Sequence, residues 1–186
     1  MRGTASPTRS PPASSVQGML DDALVAESVH DTGVRRLQHA YADVVNRRAW
    51  PELDQLFLPG AQIVIDRRIG EPLVLVGGAQ LGEFIGASIA RFEFFEFVIL
   101  NAHIVFPDGA LAGTAVSRLF MSELRQQRDS GRWTTVFGLY HDRYALEAGR
   151  WWFAERRYHS LARSSQDLDV FPVPIHPGID VPGPGT

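Results

Sequence analysis

Residues 134–163, TTVFGLYHDRYALEAGRWWFAERRYHSLAR, constrain the fold more than any other stretch of the chain. Val136, Phe137, Leu139, Tyr140 and Tyr144 form one run rich in β-branched and aromatic residues, and Trp151, Trp152, Phe153 and Tyr158 form another. Between them Ala148-Gly149 is tight-turn chemistry. The pattern predicts a long β-hairpin. Two strands bury too little to stand alone in water, so the hairpin must belong to a larger, curved sheet.

The preceding chain supplies that sheet. Strand-like runs over 95–106 and 110–125 lead into hairpin strands over 133–146 and 151–162. Their separators, Pro107-Asp108-Gly109 and Arg128-Asp129-Ser130-Gly131, favour turns, so the four runs should form an antiparallel meander. Further upstream, Val34, Leu37, Ala40, Tyr41, Val44 and Val45 recur at three- and four-residue steps, the stripe of an amphipathic helix over about 20–48. Trp50-Pro51 breaks it and opens a short second helix over 51–58, which Pro59-Gly60 ends. A strand over 61–69 follows, with Ile63 and Ile65 on one face and Val64 and Asp66 on the other, then a short strand PLVLV. Leu81, Phe84, Ile85, Ile89 and Phe92 predict a third helix, in which Gly82 and Gly86 are read as close-packing positions. Helices first and long strands afterwards specify an α+β domain: three N-terminal helices packed on the concave face of a curved mixed sheet.

With 45% hydrophobic residues, the 186-residue chain can build one real core between tails. We read 1–19 as a disordered leader without the apolar run of a secretory signal, 20–165 as the domain, and 166–186 as a proline-rich extended tail. A formal charge of -3 argues against a nucleic-acid footprint or a polybasic membrane surface, and no run is long and apolar enough to span a bilayer. The absence of cysteine removes disulfides, thiolate nucleophiles and thiolate metal sites, which is compatible with the expected cytoplasmic location. The six histidines show no ligand-like spacing, although His141 and His159 lie on neighbouring strands. No phosphate-binding loop, dinucleotide fingerprint or nucleophile elbow occurs. The expectation is a site without metal or cofactor.

Three segments carry a resemblance to a known family. They are LQHAYADVVNRRAWPELDQLFLPGAQIVID, the Asn101 strand with its following PDGALAG, and GLYHDRYALEAGRWWFAERRYHSLAR, with a Gly-x-Tyr-His-Asp strand, a Gly-x-Trp turn and an arginine-bearing return strand. Across roughly 20–164 the chain resembles the SnoaL-like branch of the nuclear transport factor 2-like superfamily. This is the cone-shaped α+β fold also used by ketosteroid isomerase and scytalone dehydratase, and it implies one deep, mostly apolar pocket.

The resemblance also suggests residues for that pocket. Tyr41 falls where ketosteroid isomerase places its oxyanion-hole tyrosine, with plain core packing as the alternative. Asp66 is the acid nearest that enzyme's base, whose own position aligns with Ile65; a bulge would turn Asp66 inward, and without one it is a solvated strand-end charge. Phe97 and Phe120 replace the two pocket histidines of scytalone dehydratase, and Tyr140 replaces its pocket asparagine. Arg118, Asp142 and Arg156 are implied to face the cone, where Asp142 would pair with a buried arginine either structurally or as an acid–base group. With Tyr158 these complete the candidates: catalytic Asp66, Tyr41 and Asp142; substrate-binding Phe97, Arg118, Phe120, Tyr140, Arg156 and Tyr158.

Two functions follow. In the first, the protein is a cofactor-free isomerase, dehydratase or cyclase acting on a small hydrophobic carbonyl or polyketide-like compound, by proton transfer next to the carbonyl. In the second, it is a ligand-binding or structural subunit that uses the cone for assembly. The first needs a carboxylate facing an open cavity; were Asp66 and Asp142 both turned outward or paired with arginines, it would lose its base. Either reading expects a homodimer through the outer sheet face, with Trp133, Trp151 and Trp152 as anchors and a trimer as the alternative.

Overall fold

The apolar stripe of the first helix organises the inner side of the molecule. The structure, a computed structural model, describes residues 13–66, 68–164 and 168–170. Helix α1, Ala13–Arg47, begins inside the stretch read as a leader. Its buried residues Val34, Leu37, Gln38, Tyr41, Val44 and Val45 follow the predicted spacing. Arg48, in the left-handed conformation at φ 58°, ends it. The predicted second helix is a 3-10 segment, Trp50–Gln55, with proline in its first turn.

Strand β1, Phe57–Ile65, starts earlier than expected. Pro59-Gly60 does not end a helix but lies inside the strand, where its pairing slips between Phe57 and Gln62. β2, Leu73–Val76, leads directly into helix α2, Gly77–Ile89. The meander follows as β3 Phe92–Val105, β4 Thr114–Gln127, β5 Trp133–Glu147 and β6 Arg150–Ser164, and β7, Leu168–Val170, adds to the end of β6. Strand order is β2-β1-β6-β5-β4-β3; β1 runs parallel to β6 and every other pair is antiparallel, so the sheet is mixed. Residues 171–186 of the expected proline-rich tail lie outside the described residues. No helix among the described residues is long and apolar enough to cross a membrane.

The β5–β6 hairpin turns as its sequence requires. Ala148 and Gly149 have φ of 50° and 76°, the two left-handed positions of a type I′ turn. Two irregularities then decide what β6 shows to the interior. Tyr144 pairs with Phe153 but Arg143 with Glu155, so Phe153 and Arg156 both face inward although three residues apart. Phe137 pairs with Ala162 but Gly138 with Ser160, which turns Arg163 inward as well. β4 pairs with β5 without such a slip, so Ser117, Leu119, Met121, Glu123 and Arg125 share the inner face. Arg118 and Phe120 fall on the outer face. Their expected place in the pocket is thereby corrected: strand parity, which the resemblance could not set, puts them opposite His141 and Leu139 instead.

Helix α2 rests on the 3-10 segment through glycine. A Cβ on Gly78 would lie 2.2 Å from the Leu53 carbonyl oxygen, and one on Gly82 would lie 2.9 Å from that of Trp50. Backbone cannot yield as a flexible side chain can. Gly78→Ala should therefore destabilise the protein by about 1–3 kcal/mol in denaturant unfolding. Gly18→Ala, in α1 with nothing within 4 Å, should leave stability unchanged or raise it.

Candidate functional site

A cavity of about 420 Å³ lies between the inner face of the sheet, α1 and α2. Its inner end is polar within an apolar wall. Arg156 is 1% exposed, and its guanidinium carbon sits 4.1 Å from the Tyr41 ring centroid, 4.1 Å from that of Tyr140 and 4.2 Å from that of Phe153. Behind it, Asp142 accepts Nε–H at Oδ1 and Nη2–H at Oδ2, both at 2.8 Å. Tyr144 donates to the same Oδ2 at 3.0 Å, and Gln38 of α1 donates to the Tyr144 hydroxyl at 2.8 Å and to Ser117 Oγ at 3.3 Å. One network thus ties α1, β4, β5 and β6 to the guanidinium. Among the described residues, the buried Arg156 Nη1 has no hydrogen-bond partner.

Burial is the largest influence on this arginine and favours the neutral form. The charge of Asp142 and the hydrogen bonds from it outweigh that effect, so its pKa is held above the usual guanidinium range. The phenols shift upward too. Burial raises Tyr41, which the nearby charge of Arg156 and hydrogen bonding with Tyr140 only partly offset. Tyr140 is raised well above the ordinary value by burial and then by its neighbour Tyr41, and Tyr144 by burial and then by Asp142. Burial, followed by the charge of Glu123, pushes Tyr158 up to about 12. All are neutral hydrogen-bond donors at physiological pH. Gly138 makes room for Tyr158, since a Cβ there would lie 2.4 Å from its ring.

Of the candidate residues, the fold brings Tyr41, Asp66, Phe97, Tyr140, Arg156 and Tyr158 to the cavity wall. Asp142 is not in the wall; it lies behind Arg156 with both oxygens engaged. Asp66 reaches the wall without a bulge: the slip in β1 precedes Gln62, Ile63 and Ile65 line the cavity from the strand, and Asp66 lines it from just past the strand's end. Asp66 Oδ1 accepts the Arg68 backbone N–H at 2.8 Å, and Oδ2 lies 3.2 Å from Arg68 Nε and 4.0 Å from His159 Nδ1. Both aspartates are thus paired with arginines.

Glu123 is a lining carboxylate that sequence reasoning missed. It lies between Phe97 and Val136 across the sheet, both of which also line the cavity. Its charge acts on the phenols of Tyr41, Tyr140 and Tyr158 alike, and it is ion-paired with Arg125. Arg91, Arg125 and Arg163, also missed, complete the charged wall. The alternation Glu123-Leu124-Arg125 was a visible signal, but its face depends on register. His141 and His159 meet edge-on at 5.3 Å, and no group of three or more potential ligands among the described residues is placed to hold a metal. Trp151, expected as an interface anchor, is buried against Gly33, whereas Trp133 is exposed.

The electrostatics set an alkaline test. Each of the four tyrosines is shifted upward, so the native protein should show almost no tyrosinate absorbance near pH 10, where about half the phenols of an unfolded chain are ionised. Between the unfolded and native pKa values the native state binds more protons. Stability should therefore be fully present below about pH 10 and be lost as pH rises further. A class of tyrosines ionising early in the native protein would contradict these burial assignments.

The comparisons agree with this architecture. Residues 27–157 match the family model of the SnoaL-like domain. No curated protein matches the chain. Among solved structures, a hexachlorocyclohexane dehydrochlorinase (LinA) of type 2 is similar at 13% identity and TM-score 0.64, over 87% of this chain and 99% of that one. A scytalone dehydratase candidate from Novosphingobium aromaticivorans is similar at 14% identity and TM-score 0.65, over 81% and 93%. A nuclear transport factor 2-like protein from Salmonella enterica is similar at 17% identity and TM-score 0.59, over 72% and 92%. At such identities the likeness is one of fold. Matched by the family model over most of its length, the chain belongs to the SnoaL-like domain family.

Proposed function

We propose that the protein is a cofactor-free enzyme that isomerises, dehydrates or cyclises a small, largely apolar carbonyl compound by moving a proton next to the carbonyl. The observation that carries this reading is Arg156 Nη1, a buried guanidinium nitrogen without a partner beside two buried phenols that stay protonated. A buried donor left unsatisfied is costly, and a carbonyl oxygen that gains negative charge as an enolate forms is the group it suits best. Tyr41 and Tyr140 add neutral donors. Asp142 acts as a positioning residue, holding the guanidinium rather than moving a proton.

The base in this reading is Glu123. Like Asp66 it is paired with an arginine, here Arg125, but its charge acts on all three lining phenols, whereas Asp66 also accepts the Arg68 backbone N–H. The similar dehydrochlorinase and scytalone dehydratase candidate support small-molecule conversion in a cone of this type by analogy alone.

Solvent-deuterium exchange at carbon next to the carbonyl of cyclic and aryl ketones, followed by NMR, tests the reading. Tyr140→Phe should slow exchange about a hundredfold with little change in ketone affinity. Glu123→Gln should slow it by about a hundredfold or more, and Asp66→Asn should leave it nearly unchanged. Loss of exchange in Asp66→Asn alone would move the base to Asp66. Ketone binding without exchange in the wild-type protein would make the cavity a holding site and the protein a binding subunit.

A further inference from the structure

Charge along the cavity wall is unbalanced. Arg156 is neutralised by Asp142, Asp66 faces Arg68, and Glu123 is paired with Arg125. Arg91 and Arg163 also line the cavity, and neither has a carboxylate partner among the described residues. Arg163 Nε donates to Ser160 Oγ at 2.9 Å, which orients the guanidinium fork and leaves its Nη groups uncommitted. Among the described residues, the buried Arg125 Nε has no hydrogen-bond partner.

These arginines converge on the more exposed end, away from Arg156. The guanidinium carbons of Arg91 and Arg125 lie 5.0 and 5.3 Å from the centroid of the same ring, Phe92. Across the sheet, Arg163 pairs with Val136 and Val136 with Glu123, and Arg125 is one same-face step farther along β4. Arg125 and Arg163 both act on the Tyr158 hydroxyl, so that phenol lies within electrostatic reach of both. Guanidinium forks suit planar oxyanions, and here they rim a wall that is otherwise mostly apolar.

We propose that Arg91, Arg125 and Arg163 form an anion clamp at the mouth of the cavity, holding a carboxylate on the substrate while its apolar body fills the cavity toward Arg156. The substrate class is thereby narrowed to a hydrophobic carbonyl compound bearing an acid at the far end from the reacting carbonyl. This inference rests on the reading of the cavity as a binding site for such a compound. One uncompensated cation would hold the acid, and a second would keep the mouth attractive to it at low ionic strength.

A matched pair of ligands tests it. Naphthylacetate and naphthylacetamide share an apolar body and differ in charge, so calorimetric titration of the full-length protein separates the clamp from the cavity. The acid should bind about tenfold more tightly than the amide at low salt, and added salt should erode that preference. Arg163→Gln combined with Arg91→Gln should abolish the preference while retaining amide affinity and the thermal unfolding temperature; neither arginine contributes to the Arg156 network. Equal binding of the two ligands, or an undiminished preference in the double variant, overturns the clamp and leaves the cavity reading standing. Tighter binding of naphthyl phosphate than of the acid overturns the carboxylate assignment. Failure of both naphthyl ligands to bind the folded protein overturns the clamp together with the cavity reading.

Discussion

A guanidinium withdrawn from water must find an anion and acceptors, and in this protein Arg156 finds them in Asp142. That pairing sets the positions of its neighbours. Asp142 is fixed in turn by Tyr144, Tyr144 by Gln38, and Gln38 projects from α1, so the helix crosses the sheet where one polar network can be completed. The aromatic rings of Tyr41, Tyr140 and Phe153 then close around the guanidinium on its remaining sides. A buried ion pair is rarely the cheapest way to stabilise a core. Its retention here fits a site that needs a fixed positive charge at the bottom of an apolar cavity.

Polarity and exposure change along that cavity. At the inner end the donors are buried, neutral or charge-compensated, and the surroundings are dry enough to strengthen any hydrogen bond to an oxyanion. Near Tyr158 and Glu123 the wall becomes mixed. At the outer end arginine exceeds carboxylate. A ligand of the proposed class would be oriented by this gradient before it reached Arg156, with its most polar group favoured at the mouth and its apolar body beyond it. Chemistry at the inner end would then act on one orientation.

The fold was largely legible because its signals are local. The Ala148-Gly149 turn, the α1 stripe and the turn residues of the meander each specify a few dihedral angles, and the structure has all of them. Tyr41, Tyr140 and Arg156 were legible through family resemblance. The site's remaining parts depend on register, which no local signal sets. Arg118 and Phe120 were placed inward, yet β4 runs through its pairing with β5 unbroken and turns them out. Arg163 enters only because a residue is inserted between Ser160 and Ala162 in the pairing with β5. Glu123 and Arg125 alternate with Leu124 in a pattern that fits either face until the sheet is assembled. The 3-10 geometry of Trp50–Gln55 was hidden for a different reason: α2 packs on it through Gly78 and Gly82, a contact between segments about 25 residues apart.

The cavity floor depends most on the coupling between Arg156 and Asp142, and a double-mutant cycle in denaturant unfolding measures it directly. Asp142→Asn and Arg156→Met should each destabilise the protein by about 3–5 kcal/mol, because each leaves an uncompensated buried group. The double variant should lose clearly less than the sum of the two, with a coupling of about 1–3 kcal/mol. Additive losses would contradict the account, since the guanidinium at the cavity floor would then be held by something other than Asp142.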